Sequence, residues 1–497
     1  MNNWRQSLQL SVLVDGADAH VVRGPQDIDI LGLSADSRDC DKGYLFAALT
    51  GSQTDGRGFI ADALARGSIA VLTDEAGIQE ADVGSATLVG APQARRSFAL
   101  ICARFFEQQP RTAIAVTGTN GKSSVAEFCR QFWAALGESA ATMGTLGVVG
   151  DQAPALLART TPDPVTLHQH LRDLAQHGVE RVAIEASSHG LDQCRLDGVR
   201  LKAAGFTNLT QDHFDYHPSV EAYLEAKSRL FDLVLPGGTA VLNADIPEFD
   251  KLAERCRGRG LTACSYGEAG TDLRLLDRKS LANGHQHLAI KAGDREIDIE
   301  LPLTGRFQAM NVLCAAGMVA AVEDCSVESV LARAGELTGV RGRLEAVPGH
   351  PQGAGIFVDY AHTPDALENV LKAVRGDVAG RLVVVFGCGG DRDRAKRPLM
   401  GAIATRLADT VYVTDDNPRT EDADAVRREI VAAAPGALEI GDRRQAIRDA
   451  IASLGSGDLL VIAGKGHEAG QTVGHTTLPF DDAQEARRAL ADLGRGA

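Results

Sequence analysis

Short apolar runs alternate along this chain with stretches of helical period, and the alternation changes character twice. In the first hundred residues the strand-like runs "GYLFAAL" and "IAVLTDE" flank the helix-like "FIADALARG", and the helical "RRSFALICARFFEQ" closes the segment. The break "QQPR" at 108–111 precedes the strand-like "TAIAVTG". From there to about 340 the runs "RVAIEAS", "AAGFTNL" and "TAVLNA" alternate with helical patterns and end in the helix "FQAMNVLCAAGMVAAVED". Such alternation predicts a mostly parallel sheet covered by helices on both faces. "VRGRLEAVPGHPQGAG" interrupts the pattern. Beyond it "GIFVDYA", "RLVVVFGCGG", "DTVYVTDD" and "DLLVIAG" each end at Gly or Asp before a helical segment, which predicts a Rossmann-like α/β unit. The chain therefore reads as α/β, in three domains at 1–108, 109–340 and 341–497. In such sheets ligands sit beyond the carboxyl ends of the strands, so the polar residues that end these runs are the candidates for chemistry.

Length agrees with several cores, since 497 residues exceed what one hydrophobic core sustains. Charge narrows the partners: 51 basic against 66 acidic side chains leave −15, which argues against a nucleic-acid or anionic-membrane binder. Any anionic ligand must then be held by local groups. The start "MNNWRQSLQLSVLVDGADAH" has acidic residues where a signal peptide needs an apolar core, and no run reaches about 18 apolar residues, so a cytoplasmic location is expected. Nine cysteines, none in a Cys-x-x-Cys pair, read as reduced packing groups.

The strongest chemical signal is "AVTGTNGKSS", residues 115–124. A general phosphate loop has a glycine five residues before its Gly-Lys pair, whereas here that position is Val116 and the loop is the shorter Gly118-Thr119-Asn120-Gly121-Lys122-Ser123, followed by Ser124. It still joins a strand to a helix, where main-chain amides suit anionic oxygens, Lys122 reaches the outer phosphates and the Ser123 hydroxyl can ligate Mg²⁺. This makes the central unit a P-loop-type ATPase domain.

Other residues are ambiguous in isolation. Glu185 ends "RVAIEAS" and His213 follows "TNLTQD", so both could join Ser123 around a metal or equally be hydrogen-bonded structural groups; the phosphate loop favours ligation. Lys227 lies in "SVEAYLEAKSRLFD", a helical pattern in which a lysine is ordinarily a solvated cation. Asn311, inside a strongly apolar helix, needs a partner for its amide. Asp416-Asn417-Pro418-Arg419 could be no more than a capped turn.

These blocks, with "LSADSRDCDKGYLFAALTGSQTDGRGFI", "ARTTPDPV", "IEASSHGLDQCRL", "GRLEAV", "VDYAHTPDAL", "VFGCGGDRDRAKRPLMG" and "AGKGHEAGQ", resemble in the same order those of the Mur ligases, which add amino acids to the peptide of the bacterial cell-wall precursor. Among them the diaminopimelate-adding members are the most similar. The resemblance implies that residues 1–108 bind the UDP-muramoyl substrate, with Ser37, Ser52, Gln53 and Thr54 at the uridine diphosphate and Thr160, Thr161, Ser187, Gln193 and Arg195 at the muramoyl peptide. It implies that Asn311 reads adenine, that Arg343 and Asp359 hold ATP from the third domain, and that Lys227 is carbamylated to serve as an anionic metal ligand beside Ser123, Glu185 and His213. Lys122, Lys227 and His213 would then be the catalytic set. Arg392, Asp416, Asn417, Pro418, Arg419, Gly464 and Glu468 match the pocket for meso-diaminopimelate, in which arginines take the carboxylates and Glu468 the distal ammonium.

The implied reaction uses ATP and Mg²⁺ to convert the D-glutamyl γ-carboxylate of UDP-MurNAc-L-Ala-D-Glu into an acyl phosphate, which the amine of diaminopimelate attacks. A monomer is expected. A lysine-adding Mur ligase and a folylpolyglutamate synthetase are the neighbouring readings. Lysine lacks the carboxylate that Arg419 suits, and folylpolyglutamate synthetases begin near their loop, whereas here over a hundred residues precede it. A nucleotide-binding switch without ligase activity would not need the amino-acid pocket.

Overall fold

The computed structural model describes residues 7–51, 54–150, 154–210, 216–281, 285–323, 325–376 and 378–496. Three larger sheets organise it.

Near the N-terminus, five strands lie in the order His20–Arg23, Thr87–Gly90, Ala70–Thr73, Tyr44–Ala47, Gly32–Ser34, with only the first antiparallel to its neighbour. Helix Ala94–Phe106 buries Phe98, Ile101 and Phe105 against one face.

The central sheet has ten strands. Seven neighbours run parallel in the order Ala140–Gly144, Arg181–Glu185, Thr112–Thr117, Leu201–Phe206, Val234–Asn243, Thr262–Gly267, Leu273–Ser280. Every residue of Thr112–Thr117 and Arg181–Glu185 is buried, because helices cover both faces, and so neither strand shows the two-residue alternation of a half-exposed one. From Thr112–Thr117 the chain crosses to Ala140–Gly144 on one side, and later lays Leu201–Phe206 on the other. Its carboxyl end is thus a topological switch point, where two neighbouring connections part and leave a crevice. On one face Phe128, Phe132 and Trp133 of helix Lys122–Ala135 pack against helix Arg306–Ala320. Trp133 is fully buried with its indole N–H donating to Glu323 Oε1 at 2.9 Å, and replacing such a side chain with alanine costs about 3–5 kcal/mol.

The far end of this sheet departs from simple strand–helix alternation. Leu273–Ser280, Gln286–Ala292 and Arg295–Leu301 form an antiparallel meander. Its signal lies in the alternating burial of Gln286–Ala292, the period of a strand with one wet face.

The third sheet orders Glu345–Ala346, Gly355–Asp359, Leu459–Ala463, Leu382–Phe386, Thr410–Val413, Leu438–Glu439, all parallel except the first. Leu367, Leu371 and Met400 cover one face, Ile447, Ile451 and Ala486 the other. Asp359 stands at the carboxyl end of its strand, while the loops that carry Arg392, Arg419 and Gly464 follow those of theirs. All nine cysteines are free thiols.

Candidate functional site

The phosphate loop is shaped by two glycines and a strap. Gly118 has φ 141°, and a β-carbon there would come within 1.9 Å of Thr207 Oγ1; at Gly121, φ 89°, one would meet Asn311 Oδ1 at 2.5 Å. Neither position accepts a side chain without displacing its neighbour. From the next strand's end, Asn208 Oδ1 accepts the Asn120 N–H at 2.9 Å, and the Thr207 hydroxyl donates to the Asn120 carbonyl at 2.5 Å. Helix Lys122–Ala135 begins immediately, so its first amides open toward the crevice. The Lys122 ammonium folds back onto the carbonyls of Gly118 and Thr119 at 2.9 and 2.7 Å.

Glu185 is the hub beside this loop. Its carboxylate accepts the Ser123 hydroxyl at 3.0 Å, the Thr145 amide at 2.8 Å and the Thr145 hydroxyl at 3.1 Å. Gly144 makes room for it, since a β-carbon there would lie 2.1 Å from Glu185 Oε1. Among the described residues no cluster of three His, Cys, Asp or Glu could hold a metal by itself. Ser123 and Glu185 suit a hard cation whose remaining ligands are oxygens of other origin. His213 lies outside the described residues.

Lys227 is not the solvated cation that its helical pattern suggests. It is 1% exposed, donates to the Gly118 carbonyl at 2.8 Å and lies 4.3 Å from the Tyr223 ring centroid. Two lysines thus converge on the Gly118 carbonyl.

Around the end of Arg181–Glu185, the Thr161 hydroxyl donates to the Glu185 carbonyl at 2.8 Å and accepts the Ser187 amide at 2.9 Å. Thr160 faces Thr145, 3.0 Å between hydroxyls. Arg195 donates to the Thr161 carbonyl and to Gln193 Oε1, both at 2.7 Å; burial, with Arg159 adding to it, lowers its guanidinium to about 10.

A cavity of about 570 Å³ joins these parts to the third sheet. The loop, Glu185, Thr160, Ser187 and Asn311 line one side, and Arg343, Asp359, Tyr360 and His362 the other. Asn311 donates to Gln308 Oε1 at 3.2 Å, so the partner its amide needs comes from one turn earlier in the same helix. Asp359 accepts the Leu344 and Ala361 amides at 2.8 and 2.9 Å, while burial raises its carboxyl above the usual range against the pull of Arg343. Arg343 lies 4.9 Å from the Tyr360 ring and its buried Nε has no hydrogen-bond partner among the described residues, a donor suited to an anion. The two halves touch where the Thr210 hydroxyl donates to Asp365 at 3.2 Å.

Three loops of the third unit meet close by. Asn417 donates to Glu468 Oε2 at 2.9 Å and accepts the Lys465 ammonium and the Thr472 amide, each at 2.9 Å. Pro418 is buried between them, and Asp416 sits so close to Gly464, φ 120°, that a β-carbon there would be 2.6 Å from its carboxylate. Arg419 adopts φ 51° and donates to the Gly390 carbonyl at 2.8 Å. It flanks Gly389 together with Arg392: a β-carbon on that glycine would stand 2.8 Å from Arg419 Nη1 and 3.9 Å from Arg392 Cγ. Two guanidinium groups and the Glu468 carboxylate are therefore gathered from distant segments.

The first unit is different. Ser37 is buried in a turn whose preceding residue, Asp36, accepts the Arg38 amide at 2.9 Å, whereas Thr54 is exposed, and neither lines the cavity. Ser52 and Gln53 lie outside the described residues. Asn208, Thr145, Lys465 and the pair Tyr360 and His362 also belong to these sites without standing out in the sequence. "AGKGHE" held the one available signal, a lysine beside Glu468 that proves fully buried.

Three family models match this chain: a Mur ligase family catalytic domain at 29–100, a Mur ligase middle domain at 116–319 and a Mur ligase glutamate ligase domain at 342–466. The chain is 52% identical over 469 residues to a UDP-N-acetylmuramoyl-L-alanyl-D-glutamate–2,6-diaminopimelate ligase of Caulobacter vibrioides, covering 93% of this chain and 95% of the relative. A solved structure bearing that same enzyme name aligns with a TM-score of 0.72 at 32% identity, over 98% of this chain and 99% of the other. A folylpolyglutamate synthase of Mycobacterium tuberculosis complexed with ADP shares the fold at TM-score 0.59 and 20% identity, covering 75% of this chain and 91% of its own.

Proposed function

The chain belongs to the Mur ligase family, and from that premise we propose that it is an ATP-dependent ligase joining meso-2,6-diaminopimelate to UDP-N-acetylmuramoyl-L-alanyl-D-glutamate, a step of peptidoglycan precursor synthesis. One observation carries the reading: a single cavity is lined by the phosphate loop, by Thr160 and Ser187, and by Arg343 and Asp359 of the third unit, so a triphosphate and a peptide carboxylate would share one enclosure.

A carboxylate is a poor electrophile. Transfer of the γ-phosphoryl group to the D-glutamyl carboxylate makes an acyl phosphate with phosphate as leaving group; the neutral amine of diaminopimelate then attacks, and the tetrahedral intermediate collapses to the amide. Lys122 supplies positive charge where it builds on the transferring oxygens, once an incoming phosphate draws it from the Gly118 and Thr119 carbonyls. Mg²⁺, which neutralises phosphate charge when bound, would be held by Ser123, Glu185, His213 and Lys227 as its carbamate. Thr145 keeps the Glu185 carboxylate turned to Ser123. Arg343 and Asp359 take the nucleotide from the third sheet, and Asn311 its adenine.

In this reading residues 1–108 bind the uridine nucleotide, 109–340 the ATP and 341–497 the amino acid, and the enzyme works as a cytoplasmic monomer. Ser37, Ser52, Gln53 and Thr54 hold the diphosphate end, while Thr161, Gln193 and Arg195 hold the peptide. Arg392 and Arg419 pair with carboxylates of diaminopimelate and Glu468 with its distal ammonium, an arrangement that lysine cannot satisfy. The folylpolyglutamate likeness, at 20% identity, concerns the fold alone.

The test incubates the protein with ATP, Mg²⁺ and UDP-MurNAc-L-Ala-D-Glu, and follows product and phosphate with diaminopimelate or lysine. Product with diaminopimelate, and only weak product with lysine, is expected. Product with lysine alone would reassign the amino acid, and phosphate release without product would make the chain a nucleotide hydrolase.

A further inference from the structure

Beneath the loops that carry Arg392 and Arg419 lies an arginine with no counterpart in the mechanism. Arg397 is 0% exposed although it stands in the first turn of helix Lys396–Leu407. A cation there meets the wrong end of the helix dipole and loses all its hydration, two costs that an apolar side chain would avoid. Two carboxylates offset them: Arg397 Nη1 donates to Glu421 Oε2 at 3.0 Å and Glu429 Oε2 at 2.9 Å, and Nη2 to Glu421 Oε1 at 2.8 Å. The guanidinium holds the Glu421 carboxyl down at about 2, so the pair stays ionised at any working pH.

Its contacts are distributed unlike those of a core ion pair. Nη2 also reaches the Gly389 carbonyl at 3.4 Å, and Glu421 Oε1 accepts the Asp391 amide at 2.6 Å. One guanidinium and one carboxylate thereby bind both ends of the glycine turn that leads into Arg392. Glu421 itself follows Arg419 by two residues, so the same pair anchors the second loop. The loops are pressed together above it: the Gly390 amide donates to the Asn417 carbonyl at 2.9 Å, Thr420 bonds Asp391 through amide and hydroxyl, and a β-carbon on Gly390 would lie 1.9 Å from the Pro418 carbonyl.

We propose that Arg397, through Glu421, is a positioning residue for amino-acid selection: it locks the 389–392 and 417–421 loops together so that the guanidinium groups of Arg392 and Arg419 stand at the spacing a dicarboxylic diamino acid requires. This rests on the amino-acid assignment above. Arg397 touches no substrate. An incoming amino acid with a single carboxylate gains nothing from that spacing, so loosening the lock should penalise one class of substrate.

Arg397→Lys keeps the charge and loses the two-pronged grip, and Glu421→Gln keeps the shape and loses the charge on a side chain that is partly exposed and so less able to unfold the protein. For each variant and the wild type, melting temperature and steady-state kinetics with diaminopimelate and with lysine are measured. The KM for diaminopimelate should rise about tenfold, with kcat, the KM values for ATP and the UDP-muramoyl dipeptide, and the weak use of lysine all within about twofold. Equal changes for both amino acids, no change in a folded variant, or failure of both variants to fold would each overturn the proposal. A wild type that makes no product with diaminopimelate would overturn the functional reading as well, which separates the two failures.

Discussion

Between Gly118 and Ser124 the donors offered to an anion are mainly main-chain amides of one strand-to-helix turn, whereas around Arg419 the polar groups are side chains from three segments, held by one another and by main-chain carbonyls. The first arrangement is fixed by backbone conformation: two glycines at positive φ and the Asn208 strap shape the loop. The second depends on ion pairs whose cations are buried, Arg397 with Glu421 and Lys465 with Glu468, with partners 24 and 3 residues apart in the chain. A backbone-built site should therefore fail through its glycines and its one transferring cation, and a side-chain-built site through selectivity.

The largest expected effect is at Lys122. Lys122→Ala removes the charge beside the γ-phosphate and should lower kcat by a hundredfold to a thousandfold, about 3–4 kcal/mol, with the melting temperature little changed. Near-normal turnover in the folded variant would take Lys122 out of phosphoryl transfer.

Gly118→Ala probes the backbone directly. The new methyl would overlap Thr207 Oγ1 and the residue would be held at φ 141°, a conformation that costs about 1–3 kcal/mol. Calorimetry should find weaker ADP binding, while the preference for diaminopimelate over lysine in the remaining activity is unchanged. A lost preference would show that the two regions are not separable.

The same contrast explains what could be read from the sequence. The α/β class follows from apolar runs that end at Gly or Asp, since strands buried on both faces leave that signature. "GTNGKSS" is legible because seven neighbouring residues carry the whole geometry. Glu185 and Asp359 are legible as the polar ends of strands, where crevices form. The antiparallel meander at 273–301 is obscured because it adjoins a parallel sheet and breaks the strand–helix rhythm. Thr145 and Arg397 are illegible for another reason: each acts through a partner brought near only by the fold, and a buried charge such as Arg397 gives no periodic signal. Lys227 misleads outright, because the helix that looks amphipathic turns this lysine toward the Gly118 carbonyl.

Arg419→Ala should cost less than the loop substitutions. Its guanidinium is partly exposed and already anchored on the Gly390 carbonyl, so loss of one carboxylate contact is worth about 2 kcal/mol, roughly thirtyfold in kcat/KM for diaminopimelate. Lysine never had that carboxylate, and its weak use should hold steady. Parallel losses for both amino acids would instead make Arg419 a support of its own loop, whose positive φ it alone among the pocket arginines adopts.

The smallest effect belongs to His467, which sits on the seam between the two regions, its ring 4.8 Å from that of Tyr360 and its chain neighbour Glu468 in the amino-acid pocket. Burial, helped by the nearby Arg343 charge, lowers its pKa to about 4, and its buried Nδ1 has no hydrogen-bond partner among the described residues. Above pH 6.5 the ring is neutral folded or unfolded, so it contributes no pH dependence there. As the pH falls from 6.5 toward 4, the unfolded chain takes up a proton that the folded protein refuses, and stability declines with it. Melting curves from pH 7.5 to 5 should therefore show a smaller drop in His467→Gln than in the wild type. An identical drop would move the acid sensitivity to His168, buried in the central unit and also lowered to about 4, and would leave the seam electrostatically indifferent to pH.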